Sequence, residues 1–189
     1  MMVYDLPTSL TVGGMNYKIR SDFRAVLDIL IAMNDPDLDD HGKSNVILRI
    51  MYPEWRAIPQ DALQEALQKA AEFIDCGQKS DGKKHPCMVD WEQDAPLIIP
   101  AVNRVANMEV RAIPNLHWWT FFGWFMEIGD STFSNVLYIR SQKAKGKKLD
   151  KATREWYEKN RRLVDLKVKT TDEEEDTLKL WGGGGKSFS

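Results

Sequence analysis

The chain has 189 residues, 43% of them hydrophobic and 29% charged, with a formal net charge of -2. That composition suits one soluble globular domain, with or without a small appendage, and excludes wholesale disorder. No stretch reaches the roughly 18 continuous apolar residues of a membrane-spanning helix, and Cys76 and Cys87 alone cannot frame a disulfide scaffold.

Met1 to Leu10 carries Asp5 and lacks a cationic start, unlike a secretory signal, so the chain reads as cytoplasmic. Thr8 to Ile19 reads as a hairpin, with Leu10-Thr11-Val12 and Met15 to Ile19 flanking the two-residue turn Gly13-Gly14. Ser21 and Asp22 are good caps for a helix carrying Phe23, Val26, Leu27, Leu30 and Ile31 at the spacing of one buried face. Asn34-Asp35-Pro36 stops it. A second helix runs through Val46, Ile47, Ile50 and Met51 and ends before Pro53. Pro59 sits where the first turn of a third helix should be, and Leu63, Ala66, Leu67, Ala70 and Phe73 follow before Gly77.

Gln78 to His85 reads as a polar loop. Pro96, Pro100 and Pro114 punctuate the next region, so the apolar run Leu97 to Val105 predicts at best a short or kinked helix. Leu116 to Ile128 is dense and aromatic. Gly129-Asp130-Ser131 breaks and recaps the chain, and Phe133, Val136 and Leu137 open an amphipathic helix that fades into lysines. Asp150 or Lys151 opens a last helix through Trp156 and Leu163. The fold class is mainly α: a compact helical domain over residues 1–169 with an N-terminal β-hairpin. Residues 170–189, with the acidic run Asp172 to Asp176 and the glycines Gly182 to Gly185, read as a flexible tail.

The small net charge hides three blocks. Residues 1–139 hold 12 Lys and Arg against 19 Asp and Glu, a net -7. Residues 140–169 hold 12 against 4, a net +8, and residues 170–189 hold 2 against 5, a net -3. An acidic body thus carries a basic arm followed by an acidic segment.

The motifs of common chemistries are incomplete. Asp35, Asp37, Asp39, Asp40 and His41 resemble a calcium loop, but Asp40 and Val46 occupy the positions that need Gly and a closing carboxylate. Gly185-Lys186-Ser187 lacks the first glycine of a phosphate loop, since Leu180 stands there. Cys76, His85 and Cys87 supply three zinc ligands without a fourth, so no metal is expected. His41, His85 and His117 are scattered, and no Ser or Cys has a nucleophile-elbow setting. Glu54, Asp90, Glu92 and Asp94 flank Trp55 and Trp91, yet a glycosidase pair in so small a helical chain is not expected. The chain reads as a non-enzyme without cofactors.

Two segments remain as partner-binding candidates. Leu116 to Met126 holds six of the nineteen aromatic residues, and on a helix they cover nearly the whole circumference. Trp118, Phe121, Phe122 and Phe125 form one stripe, assigned to the core. Trp119, Gly123 and Met126 form a neighbouring one, assigned to a partner because Gly123 permits close approach of a second helix. The lysines Lys143, Lys145, Lys147, Lys148 and Lys151 form the second candidate. With a sequence pI near 6.0 and no recognition motif, they suit a protein partner better than nucleic acid.

The stretches Asp90-Trp91-Glu92-Gln93-Asp94, Ile98-Ile99-Pro100-Ala101-Val102-Asn103, Leu116-His117-Trp118-Trp119-Thr120-Phe121 and Glu155-Trp156-Tyr157 carry a family resemblance. Together with Leu6-Pro7 and the Gly13-Gly14 hairpin, they resemble the bacteriophage "gp-fifteen" family over about residues 3–180. That family is found in long-tailed phages and prophages of Gram-positive bacteria. The resemblance implies a gene between those of the major tail protein and the tape measure protein, the place of tail assembly chaperones. It implies a small, helical, homo-oligomeric protein that binds the tape measure, and in turn meets the major tail protein, before tube polymerisation. A structural tail or connector component retained in the virion is the alternative. The family carries no catalytic residues to transfer.

Overall fold

The computed structural model describes residues 5–78 and 88–167. Strands β1 (Ser9–Val12) and β2 (Met15–Lys18) pair antiparallel, with Val12 opposite Met15. Gly13 and Gly14 have φ of 56° and 77°, the left-handed pair that a two-residue hairpin turn of matching twist requires. Leu10 and Val12 are buried while Thr11 is exposed, so β1 lays one face on the core. The Gly13 amide donates to Glu65 Oε2 at 3.0 Å, tying the turn to the third helix.

Helix α1 (Phe23–Met33) is capped by Asp22, whose side chain accepts from the Arg24 amide. Phe23, Val26 and Ile29 are its buried residues, with Leu27 and Leu30 packed at the margin. Helix α2 (Asp40–Met51) begins within the acidic cluster. Asp39 Oδ1 accepts from the Gly42 amide at 2.7 Å, and Asp35 Oδ1 accepts from the Asp37 amide at 2.9 Å. Those carboxylates therefore close a turn and cap a helix. Helix α3 (Leu63–Ile74) follows a 3-10 turn over Gln60–Ala62. Pro59 precedes that turn rather than lying in the first turn of α3, a small correction to the sequence expectation.

Helix α4 (Ala95–Ala106) corrects a larger one: the prolines predict a short or kinked helix, yet it runs twelve residues. Pro96 lies in the first turn, where its missing N–H is no loss. Pro100 deprives only the Pro96 carbonyl of a helical partner, and both prolines are exposed, one turn apart on the outer face. Water can satisfy a carbonyl there. Asn107, at φ 53°, ends the helix in the left-handed conformation.

Helix α5 (Trp118–Met126) starts beside α1. The Phe23 amide donates to Leu116 O at 2.9 Å and the Trp118 amide to Ser21 O at 2.7 Å. The Phe23 and Phe121 rings stack with centroids 4.4 Å apart. Buried His117 caps α5, its Nδ1 accepting from the Trp119 amide at 3.1 Å. Nε2 then carries the proton and donates to Pro7 O at 2.9 Å, joining the approach to the hairpin to the aromatic helix.

Helix α6 (Thr132–Ala144) opens with a capping box between Ser131 and Ser134. The last predicted helix is divided into α7 (Lys151–Lys159), capped by Asp150, and α8 (Arg161–Val164). Asn160 makes the break. Its side-chain amide donates to Trp156 O at 2.8 Å, competing with the backbone ladder.

The main core gathers Val12, Phe23, Met51, Tyr52, Phe73, Ile98, Trp118, Phe121 and Phe133 with their neighbours from the hairpin and α1–α6. A smaller cluster of Val136, Ile139 and Val164, bordered by Leu97, Leu149, Trp156 and Tyr157, seats α7 and α8 on α6. No helix among the described residues is long and apolar enough to cross a membrane. The segment 170–189 lies outside the described residues, as do His85 and Cys87. Cys76, the third residue of that candidate metal set, follows α3 with its thiol pushed up to about 11 by burial and by the neighbouring Asp75.

Candidate functional site

The aromatic helix divides differently from its predicted stripes. Trp118 is 1% exposed and Phe121 fully buried, as assigned, while Phe122, Trp124 and Phe125 pack at the core margin. Trp119, assigned to a partner, is half-buried and makes contacts within the chain. Its ring stacks on Phe73 with centroids 5.9 Å apart, and its Nε1 donates to Phe73 O at 2.8 Å. Trp118 Nε1 donates to Ile74 O at the same distance. Both indoles thus bond to carbonyls in the last turn of α3, and the Phe73 carbonyl also accepts from the Cys76 amide at 3.0 Å. Only the far part of the stripe is open: Met126 is 62% exposed, and Gly123 has empty space where a Cβ would stand.

Gly123→Ala should therefore stabilise the isolated chain by about 0.5–1 kcal/mol, because alanine loses less backbone entropy within a helix. A thermal melt checks this. If a second helix approaches there, the same substitution lowers the mass measured by light scattering.

The lysine segment occupies the junction of α6 and α7. A groove of about 270 Å³ between these helices is lined by Asn135, Tyr138, Ile139, Ala152, Thr153 and Trp156. Tyr138 is 52% exposed there, an aromatic surface that the described residues leave half open. Gly146, at φ 64°, turns the chain out of α6 into the loop that carries Lys147 and Lys148. Lys145, Lys147 and Lys148 are exposed and make no ion pair with any described residue.

Lys143 behaves otherwise. Its Nζ donates to Asp165 Oδ1 at 2.5 Å and to the Tyr157 hydroxyl at 2.8 Å. Burial pulls the ammonium down, but its hydrogen bonds to Asp165 and Tyr157 outweigh that and hold it above the ordinary lysine range. For Asp165 burial pushes upward, and the bonds from Lys143 and Tyr157 carry it below the usual carboxylate range instead. Lys143 is thus committed to holding α6 against α8, which leaves Lys145, Lys147 and Lys148, with Lys151 in the first turn of α7, for a partner.

Beneath this surface lies a pairing that sequence reasoning missed. Arg140, 6% exposed, faces Asp94, 1% exposed, through two bonds of 2.6 and 2.9 Å. The same guanidinium donates to Val164 O at 2.6 Å, Met88 O at 2.8 Å and Leu163 O at 3.0 Å. The planar fork suits five such acceptors, where a lysine would not. Asp94 also accepts from the Asp90 amide, while Asp90 Oδ1 accepts from the Glu92 and Gln93 amides. Two of the four carboxylates weighed as a glycosidase pair are therefore part of a structural clamp.

The sequence model of the family described as Bacteriophage Gp15 protein matches residues 2–166. The chain belongs to that family. This Gp15-family chain is a bacteriophage protein of the structural or morphogenesis class. The match runs from before the hairpin through α8, so it contains the aromatic helix, the clamp and the α6–α7 groove. It stops short of the expected residue 180 and leaves Asp172 to Asp176 outside. Neither curated proteins nor solved structures yield a match to this member of the family.

Proposed function

We propose that this Gp15-family chain is a non-catalytic tail assembly chaperone in the host cytoplasm. It self-associates and holds the tape measure protein until the major tail protein polymerises around it. The observation that supports this reading is the α6–α7 surface: an open groove with Tyr138 and Trp156 in its wall, and exposed Lys145, Lys147 and Lys148 in the loop that joins the two helices. A helical partner can seat an aromatic or aliphatic side chain against these two rings, with charge in the adjoining loop to fix orientation. The open Gly123 and Met126 face on α5 is the candidate seam between copies.

Co-expression with the tape measure protein tests the reading. The complex should be captured at low salt and weaken as ionic strength rises, since exposed charges are screened within roughly 10 Å at 0.1 M. Replacing Lys145, Lys147 and Lys148 together by Ser should remove most of that salt dependence while leaving the fold intact. Capture that is indifferent to salt and to these substitutions would assign the contact elsewhere. Stoichiometric recovery of the chain from purified virions would replace the chaperone by a retained tail or connector component. Tight duplex DNA binding with a steep salt slope would point to nucleic acid instead.

A further inference from the structure

The acidic run Asp172-Glu173-Glu174-Glu175-Asp176 has no role in the proposed function and lies outside the family match. It has the chemistry that the α6–α7 surface lacks. Residues 140–169 carry a net +8, and Lys145, Lys147 and Lys148 find no carboxylate among the described residues.

The point where the described chain stops favours the same chain as the source of those carboxylates. The Lys167 amide donates to Gln93 Oε1 at 2.9 Å, and Gln93 Nε2 donates to Asp165 O at 2.9 Å. Asp165 in turn holds Lys143, so residue 167 is fixed close to the root of the lysine loop. An extended chain covers about 3.3–3.6 Å per residue, so roughly 17 Å of reach precedes Asp172 and roughly 30 Å precedes Asp176. Lys145 to Lys148 begin two residues beyond Lys143 and fall within that range. Past the acidic run, Leu178, Leu180 and Trp181 are apolar groups that can pack on the Tyr138 and Trp156 rings in the groove wall.

We propose that residues 172–181 of the same chain dock on the α6–α7 surface, carboxylates on the lysines and apolar side chains in the groove, and mask it until a partner displaces them. A tethered segment acts at about millimolar effective concentration, so even weak intrinsic affinity keeps the surface covered. The docking stands on charge, reach and groove alone. The masking rests on the function proposed above.

Zero-length carbodiimide cross-linking of the full chain tests the docking, because it joins only carboxylates and amines already in contact. Light and 15N-labelled chains are mixed in equal amounts, so that links within a chain and between chains differ in mass. The expected links join residues 172–176 to Lys145, Lys147 or Lys148 within one chain and disappear at about 0.5 M salt. Links between chains would make a second copy the occupant and overturn the proposal. Links spread evenly over Lys18, Lys43 and Lys69, or none at all, would overturn it too.

A full-length variant with Asp172→Asn, Glu173→Gln, Glu174→Gln, Glu175→Gln and Asp176→Asn tests the masking. It should bind the tape measure about tenfold more tightly if the tethered segment's own Kd is about a tenth of its effective concentration. Unchanged affinity would refute the masking while the cross-links keep the docking. If neither form binds the tape measure, the proposed partner is wrong, and the cross-links still decide the docking.

Discussion

Arg140→Ala should cost about 3–5 kcal/mol of folding stability, because it leaves the Asp94 carboxylate buried without its counter-charge. That is a large share of the roughly 5–15 kcal/mol that holds a domain together. The loss is not confined to the pair. Met88, Leu163 and Val164 each give a carbonyl to the same guanidinium, so the segment before α4 and the whole of α8 lose their anchor to α6. Urea unfolding of the variant and the parent measures the difference. Arg140→Lys keeps the charge but not the fork, so it should recover only part of it. The double variant Arg140→Met with Asp94→Leu should be more stable than Arg140→Ala, since it leaves no buried charge, although the three carbonyls still lack a donor. A cost below about 1 kcal/mol for Arg140→Ala would mean that water reaches Asp94, and that the clamp does not anchor α8 to α6.

The parts of the fold that were legible in the sequence are those fixed by near neighbours. Gly13-Gly14 between two alternating strands can form little else, and Asp22, Ser131 and Asp150 each stand one residue before the helix they cap. Asp39 caps α2 by the same chemistry, but it was obscured among four aspartates that resemble an incomplete calcium loop. Pro100 misleads for a definite reason. Its cost depends on which face carries the orphaned carbonyl, and that becomes known only when α4 is placed on the core.

The Arg140–Asp94 pair was not legible, since its members stand 46 residues apart and each had a local explanation. Arg140 looked like the first residue of the basic arm, and Asp94 like one more exposed carboxylate beside a tryptophan. The lysines of the candidate site were legible as charge. Their division into Lys143, committed to α8, and the exposed Lys145, Lys147, Lys148 and Lys151 required Asp165 and Tyr157 to be brought to Lys143 by the break at Asn160.

Trp118→Ala should be among the most damaging substitutions on α5, at about 3–5 kcal/mol, because it removes a fully enclosed indole and leaves the Ile74 carbonyl without its donor. Helical periodicity places Trp119 about 100° further round, on a face read as free. The end of α3 extends under both positions, however. Trp119→Ala should then cost about 2 kcal/mol, combining a lost stack on Phe73 with a lost hydrogen bond to its carbonyl. Trp119→Phe preserves the stack and forfeits only the N–H, so it should fall near half that value. Met126→Ala, on the exposed end of the same stripe, should stay within about 0.5 kcal/mol of the parent. The order Trp118, Trp119, Met126 in unfolding free energy is thus the signature of a helix held on two adjacent faces and open beyond them. If instead Trp119→Ala left the melting temperature unchanged and lowered the oligomeric mass, the indole would belong to a seam between copies, and its contact with α3 would contribute little.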